Sequence, residues 1–406
     1  MKNYKNTIKA SYLGYITQAA VNCLPPLLFL TFAKNYGVSL LQLGLTTTVN
    51  FGTQLLFDFI TPFWVKWKGV RHVTVAAHIS AALGLLCFGF LPELAPGNLA
   101  YVAILFCMIL CGIGGGVTEV LISPIVESCP SDTKARAMGL LHSMYSFGCV
   151  IVAVTTAAYF GIMEWSGSHF WQLLPILWCL LPLFNAFFFA RVPLNEQAIL
   201  GENTETARSE GERQSRRVPA TFLFVLLCMT GAGASEMAMS QWISSFMEAG
   251  LHFEKAVGDL VGPCLFALFM GISRVVYARF ADKVKLSALL ALYAFGMLGC
   301  YVLVGFGGYT GALVGCVLAG FFVGPLWPAT FSLEARLDKG LGTGLYAAMA
   351  FAGDVGCSLG PAFVGFVADR STDGLHAGLK YAAFIPCLAI LGALCLLRKE
   401  HSRKSS

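Results

Sequence analysis

Apolar runs of about 20 residues, parted by polar breaks, recur along the whole chain. A helix rises about 1.5 Å per residue, so each run is long enough to cross a hydrocarbon layer about 30 Å thick. The pattern predicts twelve membrane-spanning helices, at 10–33, 42–65, 73–91, 99–126, 137–162, 169–190, 219–247, 257–280, 287–306, 309–333, 342–367 and 379–397. Most breaks are short. The exception is Arg191–Arg217, which is rich in Glu, Arg, Ser and Thr and has little to bury. It divides the chain into an N-terminal six-helix half (1–190), a linker (191–217) and a C-terminal six-helix half (218–406). The predicted fold class is an all-α polytopic membrane protein, with twelve transmembrane helices in two pseudo-symmetric halves.

Charge then sets the orientation. With the N-terminus inside, 22 of the 27 Lys and Arg residues fall on the inner side. The outer segments hold only Lys34, Lys255, Arg370 and Lys380, and Arg274 lies within a span. Basic residues concentrate in cytoplasmic loops, so both termini and the linker are expected to be cytoplasmic, in a multi-pass protein of the plasma membrane. Lys2, Lys5 and Lys9 precede the first run, but no small-residue cleavage site follows it, and the run reads as a first transmembrane helix.

Composition agrees. The 406 residues are 57% hydrophobic and 12% charged, against about a quarter charged in soluble domains. The net charge of +5 does not point to nucleic acid, because the charges sit at span ends. The 14 cysteines are scattered through apolar runs. Cys107 and Cys111 come closest to a pair, on one helix face, and buried cysteine is commonly a small hydrophobe. The chain has no CxxC and no Cys/His ligand set, so neither a metal nor a cofactor is expected. No nucleophile–base pair suggests an enzyme, and the chain is expected to be monomeric.

Five ionisable residues fall well inside spans: Asp58, Glu119, Glu236, Arg274 and Asp354. A charge at hydrocarbon depth is costly unless it faces water, a partner or a proton. Glu236 lies in the stretch Gly231–Phe246, GAGASEMAMSQWISSF, with Gln241 and Trp242. Such a carboxylate either contacts cargo and protons or is a protonated group bonded to a neighbouring helix. Glu119 allows the same two readings. Asp58 follows Gln54 by one turn on the same face. Asp58 and Asp354 read either as gates or coupling sites or as fixed polar locks. Arg274 reads either as a counter-ion to Glu119 or an embedded Asp, or as a cation that snorkels toward the cytoplasm with Arg279. Gln18 and Asn22 are one turn apart in the first span. Their amides, like that of Gln241, suit sugar hydroxyls or helix-to-helix hydrogen bonds. Trp242 offers a flat face to a pyranose ring or an interfacial anchor. His142, Tyr145 and Trp327 are further polar or aromatic candidates. The GIGGG run at 112–116 is not followed by Lys-Ser/Thr and reads as close helix packing, as does GCSLGPAFVG at 356–365.

The halves repeat weakly. Gly139–Gly148 reads GLLHSMYSFG and Gly344–Gly353 reads GLYAAMAFAG, each in the fifth span of its half. Such repeats mark parallel-repeat transporters. Two six-span halves, inside termini and a central linker resemble the major facilitator superfamily over essentially the whole chain. GGGVTEVLISPIVE, with Glu119-x-x-x-Ser123-Pro124, resembles the Glu-x-x-x-Asn-Pro fourth span of the fucose-permease-type, sugar-porter-like branch. GASEMAMSQWISSF resembles that branch's seventh span, and ARFADKVK at 278–285 the superfamily's basic Asp-containing loop. The chain departs from the branch in the first span, where Asn22-Cys23 replaces Asn-Asp.

The resemblance implies that spans 1, 4, 7 and 10 line a central cavity and that spans 2, 5, 8 and 11 form the moving contacts. It also implies a secondary active transporter working by alternating access. The expected cargo is a small neutral polar solute, a sugar or polyol, moved by proton symport. Glu236, Gln241, Trp242, Glu119, Gln18, Asn22 and Trp327 are the expected substrate contacts. Glu119, Glu236, Asp58, Asp354 and Arg274 are the expected coupling or gating groups. Transport of cationic organic compounds is the competing reading, since a carboxylate-rich cavity also suits cations. A membrane sensor that keeps the fold without transporting is the other. The partners are then a small-molecule substrate, protons and the lipid bilayer.

Overall fold

The computed structural model describes residues 4–97, 99–129, 134–168, 170–196, 199, 221–280, 283–337 and 343–405. Lys2, the linker from 200 to 217 with its Arg208, Arg213, Arg216 and Arg217, Asp282 and Lys339 lie outside the described residues. So do the side chains of Lys134, Arg136, His142 and 343–347, and with them much of the weak repeat.

Among the described residues every regular element is helical. The helices occupy the twelve expected positions. Span 1 is Lys5–Leu27 with Phe29–Tyr36, span 2 Leu40–Lys68, span 3 Val70–Phe88, span 4 Leu99–Glu127, span 5 Lys134–Ser166 and span 6 Leu173–Arg191. Span 7 is Phe222–Gly250, span 8 Lys255–Phe280, span 9 Leu286–Phe306 and span 10 Gly308–Glu334. Span 11 runs from Thr343 to Arg370 and span 12 begins at Gly374. Ten of them are single stretches long and apolar enough to cross a membrane, and the bent pair of span 1 makes eleven.

Span 2 is the exception, and the reason is local. Its 29 residues reach about 43 Å at a helical rise, so length is not the shortfall. Thr46, Thr47, Asn50 and Gln54 give it a polar face, which is buried, while Leu56, Phe59, Ile60 and Phe63 stay exposed. Its interior is polar and its outside apolar, as a helix facing lipid on one side and polar groups on the other requires. Span 6 shows the same lipid-facing habit, with Leu180, Leu183, Phe184 and Phe187 exposed.

Span 1 is broken by its own sequence. Pro25 and Pro26 lie inside the helix, and proline removes a backbone donor and crowds the preceding turn. Leu28 N–H donates instead to Pro25 O at 2.9 Å, a tightened turn, and the two pieces meet at 46°.

The described chain packs as two compact units. Unit 1 takes Met1–Leu24, Thr53–Cys149 and Phe170–Pro219, and unit 2 takes Pro25–Gly52, Val150–His169 and Ala220–Ser406. Small residues close the helix contacts in both, because without a hydrophobic drive between helices close van der Waals approach must hold them. In unit 1 a Cβ on Gly114 would lie 2.6 Å from that of Ala81, and one on Gly116 would lie 2.7 Å from the Gln54 Cα. The GIGGG run is therefore a packing seam of span 4 against spans 2 and 3. Arg71 donates to the Phe189 and Ala190 carbonyls at 2.8 and 2.9 Å, capping the end of span 6.

Buried His78 completes the unit 1 core. Its Nδ1 donates to Thr74 O at 2.8 Å, since a carbonyl can only accept. Its Nε2 must then accept from Asn185 Nδ2 at 2.9 Å, and Asn185 Nδ2 also donates to Ala10 O at 3.1 Å. The ring is a neutral staple joining spans 1, 3 and 6. In unit 2 a Cβ on Gly360 would lie 2.5 Å from Ala234 O, and Gly356 sits equally close to the Thr230 carbonyl, so span 11 packs backbone to backbone on span 7.

Candidate functional site

In unit 1 spans 1 and 4 present a polar ladder. Gln18 Nε2 donates to Glu119 Oε2 at 2.6 Å, and one turn along Tyr15 OH meets Ser123 Oγ at 3.0 Å. The spacing of Tyr15 to Gln18 and of Glu119 to Ser123 is one helical turn each, which stacks the two pairs on facing stripes. Gln18 is buried, whereas Glu119 is exposed. An exposed carboxylate that shares a hydrogen bond with a buried amide has capacity left for a further donor. Asn22 Oδ1 accepts from Gln54 Nε2 at 3.0 Å, tying span 1 to span 2. Asp58 sits one turn beyond Gln54, half-buried.

In unit 2 Glu236 is 5% exposed. Among the described residues its carboxylate accepts no hydrogen bond, and the charge acting on it is the Arg274 guanidinium. Arg274 is itself fixed by donating from Nε to Gly324 O at 3.1 Å, which anchors it to span 10. Beside Glu236, Met237 packs with Phe51, Cys357 and the half-buried Trp327. Trp327 fits because residue 353 is glycine, whose missing Cβ leaves room for the ring. Asp354, the next residue, is half-buried.

Gln241 and Trp242 are engaged otherwise. Gln241 Oε1 accepts from Thr47 Oγ1 at 3.2 Å, and its Nε2 reaches Met237 Sδ at 3.8 Å. Trp242 is fully buried, donates from Nε1 to Pro361 O at 2.9 Å, and lies 5.2 Å from the Phe29 ring. Thr48 Oγ1 donates to Ser358 O at 2.7 Å on the same seam. These contacts join the N-terminal part of span 2 to spans 7 and 11, all within unit 2.

The structure adds a cluster that the sequence reading left among loop charges. Lys255 Nζ lies 2.8 Å from both Asp259 carboxylate oxygens and 2.8 Å from Ser244 Oγ, which donates to Asp259 Oδ1 at 2.6 Å. Asp259 is fully buried, and Lys255 Nζ also stands 5.4 Å from the Phe160 ring. Both flanking segments, Phe246–Gly250 and Leu260–Cys264, are π-helical turns, and His252 between the two spans takes a left-handed φ of 59°. Such turns often mark functional positions. The four-residue spacing of Lys255 and Asp259 was the available signal. Glu334, 1% exposed near the end of span 10, is a second embedded carboxylate that hydropathy alone did not single out.

The sequence-predicted residues thus fall into two groups. Gln18, Asn22, Glu119 and Asp58 belong to unit 1, and Glu236, Gln241, Trp242, Arg274, Trp327 and Asp354 to unit 2. Gln18 meets Glu119, and Arg274 acts on Glu236.

The family model of the Major Facilitator Superfamily matches residues 12–404. The chain belongs to the Major Facilitator Superfamily. It is a multi-pass membrane transporter of small molecules. Among solved structures this facilitator is similar to a D-xylose-proton symporter, with a TM-score of 0.79 at 13% identity and 96% of each chain covered. It is also similar to the E. coli fucose:proton symporter, with a TM-score of 0.64 at 15% identity over 97% of this chain and 99% of that one. At these identities the likeness is one of fold. Among curated proteins the facilitator is 22% identical to the cis,cis-muconate transport protein of Acinetobacter baylyi, over 70% of this chain and 69% of the relative.

Proposed function

We propose that this facilitator carries a small neutral polar solute, a sugar or polyol, by proton symport. The observation that carries the reading is Glu236, an almost wholly buried carboxylate in span 7 that accepts no hydrogen bond among the described residues. Holding a charged carboxylate this far from water costs several kcal/mol at this depth. A proton on Glu236 removes most of that cost, and a cargo hydroxyl removes more. Glu119 on span 4, exposed and already paired with Gln18, is a second carboxylate with acceptor capacity to spare. Trp327 is the aromatic surface for a sugar ring. Gln241 and Trp242 meet cargo only when their bonds to Thr47 and Pro361 are exchanged, a swap of neutral hydrogen bonds worth about 1 kcal/mol each. Asp58, Asp354 and Arg274 act on gating.

In this reading the six-helix halves, 1–190 and 218–406, rock about the site as a monomer in the plasma membrane, with both termini and the linker cytoplasmic. The symporter titles of the structural neighbours support the chemistry by analogy of fold. A second reading, a carboxylate-bearing cargo, is favoured by the name of the muconate relative and by Arg274, a permanent cation beside Glu236. Counterflow in proteoliposomes separates the candidates. Millimolar sugars or polyols are expected to compete. Competition by dicarboxylates alone supports the second reading, competition by lipophilic cations alone a cation carrier, and no counterflow a sensor.

A further inference from the structure

Cys23 in span 1 and Cys149 in span 5 hold their sulfurs 3.0 Å apart, with the Cys23 thiol donating. A disulfide needs about 2.05 Å, so an approach of about 1 Å separates contact from bond. The helices cross tightly at this point. A Cβ on Gly148 would lie 2.6 Å from that of Ala19 and 3.2 Å from the Ile16 Cα. The two thiols are therefore pressed together by a small-residue crossing. Neither is in a disulfide, Cys23 is half-buried and Cys149 is 8% exposed.

Their place in the fold gives the contact a consequence. Span 1 leaves unit 1 after Leu24, and span 5 leaves it after Cys149 itself. Pro25 and Pro26 follow directly, and the 46° bend comes two residues later. Both thiols thus stand where their helices pass out of unit 1 and where span 1 bends.

We propose that Cys23 and Cys149 form a thiol–disulfide switch that ties span 1 to span 5 and arrests the bend of span 1. The oxidant is a peroxide. One thiolate attacks a peroxide oxygen, an S–O bond forms, the O–O bond breaks, and the leaving hydroxide takes a proton to become water. The second thiolate attacks the sulfenic sulfur, the S–S bond forms, the S–O bond breaks, and a second water leaves. Two thiols lose two electrons and two protons, and one hydrogen peroxide becomes two waters. A dithiol reductant reverses the step. The switch holds whatever the cargo is, and its test uses no cargo.

The full-length protein in proteoliposomes is treated with hydrogen peroxide, alkylated, digested without reduction and mapped by mass spectrometry. A linked Cys23–Cys149 peptide pair that dithiothreitol removes is expected. Hydrogen exchange of the peptide covering 24–36 should slow about tenfold on oxidation and recover on reduction. Cys23→Ser and Cys149→Ala should each abolish both effects, while Cys107→Ser leaves them intact. The absence of the linked pair overturns the proposal, as does slowing that persists in either variant. Should a variant fail to fold, the reversible wild-type comparison still decides, because unlinked or unslowed wild type rejects the switch.

Discussion

Single side chains divide here by whether their polar atoms are satisfied. Glu236 accepts no hydrogen bond among the described residues, whereas Gln241 and Trp242, a turn or so further along, are committed to Thr47 and Pro361. Glu236→Gln is expected to abolish uphill, proton-driven accumulation, since the amide has no titrating proton to carry. Undiminished accumulation in that variant rejects Glu236 as the coupling group. Lys255 and Asp259 give a stability prediction. Lys255→Met leaves Asp259 buried without its cation and should cost about 3–5 kcal/mol, read as a lower melting temperature in detergent. The double variant Lys255→Met with Asp259→Asn should recover most of the loss. If it does not, the pair is held by more than mutual neutralisation.

At the scale of the helix, packing follows the glycines. Span 11 lies on span 7 through Gly356 and Gly360, each close to a carbonyl of the facing backbone. Gly360→Val pushes branched carbons into Ala234 O, so the helices must separate. A large loss of monodisperse folded protein in size-exclusion chromatography is expected, with Gly299→Ala, which faces open space, as the harmless control. The positions of the spans were legible in the sequence because lipid demands long apolar helices, and this demand is local. The packing reading of GIGGG was legible for a similar reason. The break of span 1 was written in Pro25-Pro26, yet the π-helical turns beside Ser244 and Asp259 were not legible, because they accommodate neighbours rather than local propensity. Nor were the partners of Gln18 and Asn22. Hydropathy tells which residues are embedded but not which helix face meets which. Lys255 was counted with the outer charges, and its pairing with Asp259 was open to the sequence only as a four-residue spacing, which does not show that the partner is buried.

For the whole molecule, the distribution of Lys and Arg makes a prediction independent of any site. Reporter domains fused at either terminus should both be cytoplasmic, checked with a reporter that fluoresces only inside and one that is active only outside. An outside signal from either end overturns the orientation. Proton coupling is read at the same scale. Uptake of the cargo found by counterflow should rise with an inward proton gradient and collapse with a protonophore. Uptake indifferent to the gradient rejects symport.

The polar face of span 2 bears on how the chain is made. A ribosome delivers segments to the insertion machinery one at a time, and each is judged by its affinity for lipid before its neighbours exist. Thr46, Thr47, Asn50 and Gln54 leave this helix short of the apolarity that its neighbours possess, although the finished protein hides all four. Span 2 alone is therefore expected to enter a membrane poorly, and to enter readily once span 1 or later helices cover its polar face. Insertion is thus expected to be cooperative at the second helix, which weak membrane retention of a chain truncated after Lys68 would reveal.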